Sequence, residues 1–273
     1  MDPYISVMRP VNGIMSAVAV YIGSVIAGSP VRPPLEIMLG MLIVFLICSG
    51  GMIVNYIKDV VSDKVNKPKR PLASGKISKF TAGTYAVILF LAGNGIAFYF
   101  LPGVPFAVAL LATAILILYA AFMKRVIMAG HLLISALVAL TFIYGGVITG
   151  NADKVYILAS LAFLSNIGRE VYKTIDDALG DKKQNVSTLA TKLGVFRTKM
   201  VASFFIILAV IISFVPYFSG TFDEVYLFFV VIADAIFLAA VAAPSRYSSK
   251  LTKIAMVVAL VAFLAGAYTL RAQ

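Results

Sequence analysis

The sequence predicts an all-α protein that crosses a membrane nine times, and three observations support this fold class. The 273 residues are 61% hydrophobic and only 13% charged, with a mean hydropathy of +0.99, which excludes an ordinary soluble domain. Apolar segments of the ~20 residues that a membrane-spanning helix needs recur along the chain. Basic residues gather in alternate connections between these segments. No long flexible linker interrupts the pattern, so we predict a single domain over residues 1–273.

Nine apolar segments are the predicted transmembrane helices. They cover residues 11–28, 37–61, 81–101, 104–122, 129–149, 155–175, 196–217, 222–243 and 251–270. Turn-forming residues separate several of these segments, because Pro and Gly interrupt helices. The clearest breaks are Ser29-Pro30, Pro102-Gly103, Gly150-Asn151, Ser219-Gly220 and Pro244-Ser245.

The basic residues orient the predicted helices. With the N-terminus in the cytoplasm, all of the 23 Lys and Arg residues except Arg32, Lys154 and Arg271 fall on the cytoplasmic side, as the positive-inside rule requires. The net charge of +11 is therefore interpreted as loops that face anionic lipid headgroups, and no nucleic-acid partner is expected. We expect a multi-pass protein of the cell membrane.

The scarcity of Cys and His excludes several classes of site. The only cysteine is Cys48 and the only histidine is His131, so neither a disulfide framework nor a Cys/His zinc cluster is possible. No G-x-S-x-G motif is present to accompany a Ser-His-Asp triad. Two polar residues within the spans, Asn94 and Asp234, are interpreted as interhelical hydrogen-bonding residues.

Acidic side chains follow the second predicted helix, in the stretch from Asn55 to Ser78. Asn55, Asp59 and Asp63 are spaced i, i+4, i+8, so they share one face of a helix. Oxygen-bearing side chains at the end of an apolar helix are unfavourable unless a cation meets them.

A second set with the same spacing ends the sixth predicted helix. Lys173, Asp177 and Asp181 lie on one helical face, on the same predicted side of the membrane. Mg²⁺ prefers carboxylates together with substrate phosphates, and the flanking Lys and Arg residues suit those phosphates. Alternatively, both acidic stretches are polar loops whose charges are simply solvated. The long inner loops that follow them, about 64–80 and 182–195, either fold over a cytoplasmic mouth or remain in solvent.

At these positions the sequence resembles the UbiA superfamily of intramembrane prenyltransferases. The first family motif, N-D-x-x-D-x-x-x-D, is matched by Asn55, Asp59 and Asp63. The R-P-x-x-x-G segment that follows it is matched at residues 70–75. Tyr56 stands where the family usually has Asp, but it lies off the face that the three ligand candidates share.

Further motifs carry the resemblance over nearly the whole chain. The second motif, D-x-x-x-D, is matched by Asp177 and Asp181, and the basic loop between helices 4 and 5 resembles residues 122–125, FMKR. Residues 169–181 and Asn12 resemble the branch of the superfamily that makes archaeal ether lipids.

The resemblance implies nine helices around a central cavity and a Mg²⁺-dependent prenyl transfer. A geranylgeranyl group would pass from geranylgeranyl diphosphate to the hydroxyl of geranylgeranylglyceryl phosphate, forming the second ether bond of the lipid. Partners would be these two substrates and membrane lipids. The implied metal ligands are Asn55, Asp59, Asp63, Asp177 and Asp181, of which the four carboxylates are the catalytic candidates. The implied diphosphate-binding residues are Lys124, Arg125, Lys173 and Arg70.

Two other functions stay open from the sequence. An aromatic polyprenyltransferase of quinone biosynthesis, acting on a 4-hydroxybenzoate-type acceptor, shares the FMKR segment at residues 122–125. A secondary transporter with an ion site near the membrane midplane is the third interpretation. The depth of the carboxylates in the membrane distinguishes a transporter from the enzymes. A transporter would hold them near the midplane, whereas these carboxylates lie at helix ends beside basic loops.

Overall fold

The computed structural model describes residues 2–121, 128–183 and 187–272, without the side chains of residues 179–183, 271 and 272. The described chain is helical, with no β-strand in these ranges. The helices are α1 (Pro3–Met8), α2 (Pro10–Ala27), α3 (Leu35–Asn66), α4 (Lys79–Phe100), α5 (Val104–Ala121), α6 (Ala129–Thr149), α7 (Tyr156–Lys183), α8 (Leu189–Ile212), α9 (Val215–Phe218), α10 (Glu224–Ala242) and α11 (Ser245–Ala272), with a short 3-10 turn at Ala152–Val155.

The all-α polytopic fold is confirmed, but within the described residues one helix fewer than the predicted nine meets the length and composition of a membrane span. Within the described residues, eight helices are long and apolar enough to cross a membrane. The sixth predicted span is present as α7, yet any 18-residue stretch of it contains Arg169, Glu170 and Lys173. Because of these charges α7 is not among the eight helices, although its 28 residues are long enough to cross a membrane. The prediction for residues 155–175 considered only their apolar residues.

The helices pack as a bundle around a cavity. Chain neighbours pair closely, as α3 does with α4, α7 with α8 and α10 with α11. Contacts of α2 with α3 and α6, of α6 with α7, and of α11 with both α2 and α7 join these pairs. The predicted interhelical roles of two polar residues are confirmed: Asn94 Nδ2 donates to Thr113 Oγ1 at 2.9 Å, and Ser213 Oγ donates to Asp234 Oδ2 at 2.7 Å.

Glycine allows α2 and α6 to approach each other unusually closely. A Cβ atom on Gly145 would lie 2.1 Å from the carbonyl oxygen of Val20, and one on Gly23 would lie 2.1 Å from that of Phe142. Real Cβ atoms do not approach backbone so closely, because interiors are already close-packed. The small residues therefore fix the distance between two helices that both line the cavity.

The helix α3 is longer than the interior of a membrane is thick. The helix has 32 residues, which span about 48 Å at 1.5 Å per residue, whereas the hydrocarbon core is about 30 Å thick. Its last turns hold Asp59 and Asp63. After Lys67 the chain turns through residues 68–76 before Ser78 caps α4 by accepting a hydrogen bond from the Thr81 amide at 3.0 Å.

Candidate active site

The first acidic ladder faces the cavity. Asn55, Asp59 and Asp63, on successive turns of α3, all line it. Asp63 is 4% exposed, and its two carboxylate oxygens accept hydrogen bonds from Arg70 Nη1 at 2.7 and 2.8 Å. A charge-assisted contact of this length compensates a buried carboxylate for lost hydration. Arg70, an implied diphosphate-binding residue, thus holds Asp63, an implied metal ligand.

The second ladder meets the first through the segment that follows α3. Asp177 on α7 lines the same cavity. Lys67 Nζ donates to Asp177 Oδ1, and Asn66 Nδ2 donates to the backbone oxygen of Asp177 at 3.2 Å. The end of α3 therefore reaches directly across to α7, so the two ladders share one mouth. The side chain of Asp181 lies outside the described residues.

Lys173 has a local partner that the sequence interpretation did not single out. Its ammonium lies 2.7 Å from Glu170 Oε2, and Arg169 Nη1 lies 2.9 Å from Glu170 Oε1. All three side chains line the cavity. The spacing of Glu170 and Lys173, three residues apart on a helix, is a signal that predicts such a pair. Of the other diphosphate candidates, Lys124 and Arg125 lie outside the described residues.

Tyr56 connects the acidic mouth to the N-terminal segment. The guanidinium carbons of Arg9 and Arg70 each lie 4.9 Å from the centroid of its ring. Arg9 Nε also donates to the Tyr56 hydroxyl at 2.9 Å. Cation–π attraction and this hydrogen bond hold both guanidinium groups. The residue that departs from the family motif thus orients two arginines at the cavity.

Beyond the charged groups most of the cavity wall is apolar, with a few polar side chains such as Thr141, Ser165 and Asn166. The volume of the cavity is about 650 Å³, and its walls away from the ladders come from α6, α7, α10 and α11. Representative lining residues are Ile134, Val138, Phe142, Leu161, Phe237 and Phe263. Hydrocarbon walls accept an isoprenoid chain and exclude water from a reactive carbon near the mouth.

The donor atoms at the mouth fit a hard divalent cation. Asn55 Oδ1 is buried and has no hydrogen-bond partner among the described residues, and Asp59, Asp63 and Asp177 line the same cavity. Oxygen donors of this kind suit Mg²⁺, which usually completes its coordination with water and substrate phosphates. Within the described residues, no three acidic, His or Cys side chains are grouped closely enough to hold a metal ion by themselves, so a cation here would need water or substrate phosphates among its ligands.

Comparisons of the sequence with known proteins all indicate the same family. The model of the UbiA prenyltransferase family matches residues 16–266. A protein of Methanosphaera stadtmanae named digeranylgeranylglyceryl phosphate synthase is 36% identical over 277 residues, covering 98% of this chain and 100% of that protein. The protein of the same name from Methanococcoides burtonii is 38% identical, with 98% of this chain and 100% of the relative covered.

Solved structures agree with the sequence comparisons. A structure from work on digeranylgeranylglyceryl phosphate synthase in membranes is 34% identical, with a TM-score of 0.76 and coverage of 98% of both chains. A UbiA homologue from Archaeoglobus fulgidus bound to GPP and Mg²⁺ is 17% identical, with a TM-score of 0.72 over 98% of this chain and 100% of that chain; at that identity it shows the fold alone. The match over residues 16–266 and the relatives above 30% identity over their full length establish that the chain belongs to the UbiA prenyltransferase family.

Proposed function

We propose that this chain transfers a geranylgeranyl group from geranylgeranyl diphosphate to the free hydroxyl of geranylgeranylglyceryl phosphate. The observation that carries the proposal is the cavity itself, in which two acidic ladders and several cations adjoin apolar walls. A diphosphate with a long hydrocarbon chain has the same division between charge and apolar surface. The full-length relatives named digeranylgeranylglyceryl phosphate synthase support this choice of substrates.

The proposed metal ligands are Asn55, Asp59, Asp63, Asp177 and Asp181. A Mg²⁺ ion held by these oxygens would offset the negative charge that develops on the diphosphate as its bond to C1 breaks. The GPP- and Mg²⁺-bound UbiA homologue supports the use of this metal within the fold.

Basic side chains of the protein would bind and orient the reacting groups. Arg70 and Lys173, with Lys124 and Arg125, would donate hydrogen bonds to the diphosphate, as fixed donors do for developing negative charge. In the transfer, the C1–O bond to the diphosphate breaks and that oxygen keeps the electron pair. The acceptor oxygen then forms a bond to C1 and loses its proton, so the products are the ether, diphosphate and a proton.

The mouth is proposed to face the cytoplasm, with the N-terminus on the same side. The asymmetric distribution of Lys and Arg supports this orientation. We also propose that residues 1–273 act as one domain, because cavity-lining residues range from Arg9 to Phe263.

The lipid acceptor is favoured over the two alternatives. The relatives above 30% identity that are described here carry the name of the lipid enzyme. A transporter is disfavoured because Asp63 and Asp177 lie at the ends of their helices, paired with Arg70 and Lys67, and not at the midplane where a transported ion binds.

A product assay tests the proposed function. Purified protein with Mg²⁺ and geranylgeranyl diphosphate would be given either geranylgeranylglyceryl phosphate or 4-hydroxybenzoate. We expect a diether lipid and diphosphate in equal amounts from the first acceptor and no prenylated product from the second. Prenylated 4-hydroxybenzoate with no diether would replace the proposal with the aromatic alternative.

A further inference from the structure

A second charged group on the cavity wall consists mainly of cations. Its basic members are Arg9, Arg169, Lys173 and Lys253, and its one carboxylate is Glu170. Glu170 is already bonded to Arg169 and Lys173. Arg9 and Lys253 form no ion pair with any carboxylate in the described part of the chain. Cations brought together without a counter-charge are unfavourable unless an anion joins them.

Arg9 is held in place by an unusual backbone conformation and by Tyr56. It lies between α1 and α2 with a positive φ of 51°, a region that residues other than Gly rarely adopt. Its Nε donates to the Tyr56 hydroxyl at 2.9 Å, while Nη1 has only the Met52 sulfur at 3.9 Å. A thioether is a weak acceptor. The guanidinium is therefore positioned from one side, with donor capacity left over on the other.

Lys253 and Asn12 also have donors in excess. Lys253 Nζ donates to Asn12 Oδ1 at 3.2 Å, joining α11 to α2. That contact uses one of the three N–H groups of the ammonium. The amide nitrogen of Asn12 has only the Met52 sulfur at 3.8 Å. The same sulfur thus faces donors from both Arg9 and Asn12, and neither makes a strong hydrogen bond there.

Arg9, Asn12 and Lys253 belong to different elements from the acidic ladders, unlike Lys173, which is part of the second ladder on α7. Arg9 and Asn12 come from the junction of α1 with α2, and Lys253 comes from α11, whereas the ladders end α3 and α7. No carboxylate of either ladder accepts from Arg9 or Lys253 within the described residues. The two groups still line one cavity, so two anions can be accommodated close together, each by its own set of residues.

We propose that Arg9, Asn12 and Lys253 form a subsite for the phosphate of the lipid acceptor, separate from the site of the donor diphosphate. This inference rests on the proposed function and specifies how its acceptor is recognised. A phosphate offers several acceptor oxygens, which match the unused donors of a guanidinium, an amide and an ammonium. Binding the phosphate here would fix the neighbouring glycerol hydroxyl within the same cavity.

The subsite makes acceptor selectivity depend on charge. A neutral glycerol ether would leave the excess cations without an anion, and an acceptor with no phosphate would be bound only by the apolar walls. Removal of one cation should therefore weaken binding of the phosphate-bearing acceptor and leave binding of a phosphate-free acceptor unaffected, since specificity is a difference between two affinities.

Kinetics with Lys253→Met test the subsite. Expected is a rise of about tenfold or more in KM for geranylgeranylglyceryl phosphate, from the loss of a hydrogen bond to a charged group. The KM for geranylgeranyl diphosphate and that for phosphate-free geranylgeranylglycerol should each stay within about twofold. Lys250→Met is the matched control, because it removes an exposed lysine from the same helix and should alter none of the three. An unchanged KM for the phosphate acceptor, or an equal rise for the donor, would overturn the proposal.

A binding measurement without metal separates this inference from the proposed function. In EDTA, wild-type protein should bind geranylgeranylglyceryl phosphate more tightly than geranylgeranylglycerol, and Asn12→Asp should abolish that preference. The new carboxylate keeps an acceptor for Lys253 and should maintain the fold, but it supplies the counter-charge that the phosphate would otherwise provide. Equal wild-type binding of the two lipids would reject the subsite. Absence of diether product from the wild-type protein would instead reject the proposed function.

Discussion

Arg70 Nη1 donates to both carboxylate oxygens of Asp63, at 2.7 and 2.8 Å. Lys67 makes the corresponding contact with Asp177, so the segment after α3 neutralises one carboxylate of each ladder. Binding of Mg²⁺ and diphosphate would replace these internal pairs with metal–carboxylate and cation–phosphate contacts. Asp63 and Asp177 would thereby be paired with a cation both with and without the substrates.

Asp177 should be required for transfer, whereas its neighbour should not. Asp177→Ala removes a carboxylate from the cavity, and prenyl transfer is expected to fall to background because a metal ligand is lost. Asp176→Ala is the matched control, since Asp176 is exposed and does not line the cavity; it should keep most of the activity. Product formation by the two purified variants, each checked for a single gel-filtration peak, is the measurement. Near-wild-type activity of the Asp177 variant would remove it from the site.

Loss of Arg70 should reduce stability as well as activity. Arg70→Ala leaves the buried Asp63 carboxylate without its partner, at a cost of roughly 3 kcal/mol for breaking a buried pair. Thermal unfolding in detergent should show a lower midpoint, and the double variant with Asp63→Asn should recover part of the loss. If the double variant were no more stable than Arg70→Ala, the pair would not contribute as described.

Gly145 should resist substitution even by alanine. The added Cβ would meet the Val20 carbonyl oxygen and the Ser24 amide nitrogen, both backbone atoms of α2, and overpacking of this kind costs about 1–3 kcal/mol. Gly95→Ala makes the same change on α4, where no atom lies within 4 Å of the new Cβ; it should be neutral or stabilising by up to about 1 kcal/mol. Equal unfolding midpoints for the two variants would refute the close approach of α2 and α6.

The orientation can be checked by labelling single cysteines. After Cys48 is replaced by Ala, Lys76→Cys is expected to react with an impermeant thiol reagent from the cytoplasmic side. Asn151→Cys should react from the opposite side, because both positions are exposed ends of connections and the basic residues favour this topology. Labelling of both cysteines from the same side would contradict it.

Periodicity in the sequence predicted the helices and the two ladders, but not most of the partners within the site. The spacing of Asn55, Asp59 and Asp63 indicates one helical face, and the structure places that face on the cavity. The contact between Lys253 and Asn12 joins residues 241 positions apart. No local pattern specifies which helix lies opposite another, because that choice depends on packing of whole apolar faces.

The role of Tyr56 illustrates the same limit. The sequence showed only that this side chain lies off the ladder face, and its departure from the family motif gave no reason for an aromatic ring. The structure supplies one, since the guanidinium carbons of Arg9 and Arg70 each lie 4.9 Å from the centroid of the ring. Arg9 is 47 positions from Tyr56 in the sequence, so only the tertiary fold brings these two residues together.

The central claim, that carboxylates at the mouth bind the diphosphate through a divalent cation, is tested most directly by calorimetric titration of a non-hydrolysable geranylgeranyl diphosphate analogue with and without Mg²⁺. The C-termini of α3 and α7 carry partial negative charge, and the cations Arg70 and Lys67 are already paired with Asp63 and Asp177, so the analogue alone should bind weakly. Mg²⁺ should tighten analogue binding, and the analogue should tighten Mg²⁺ binding by the same factor, as linkage requires. Equally tight binding of the analogue in EDTA would contradict the claim.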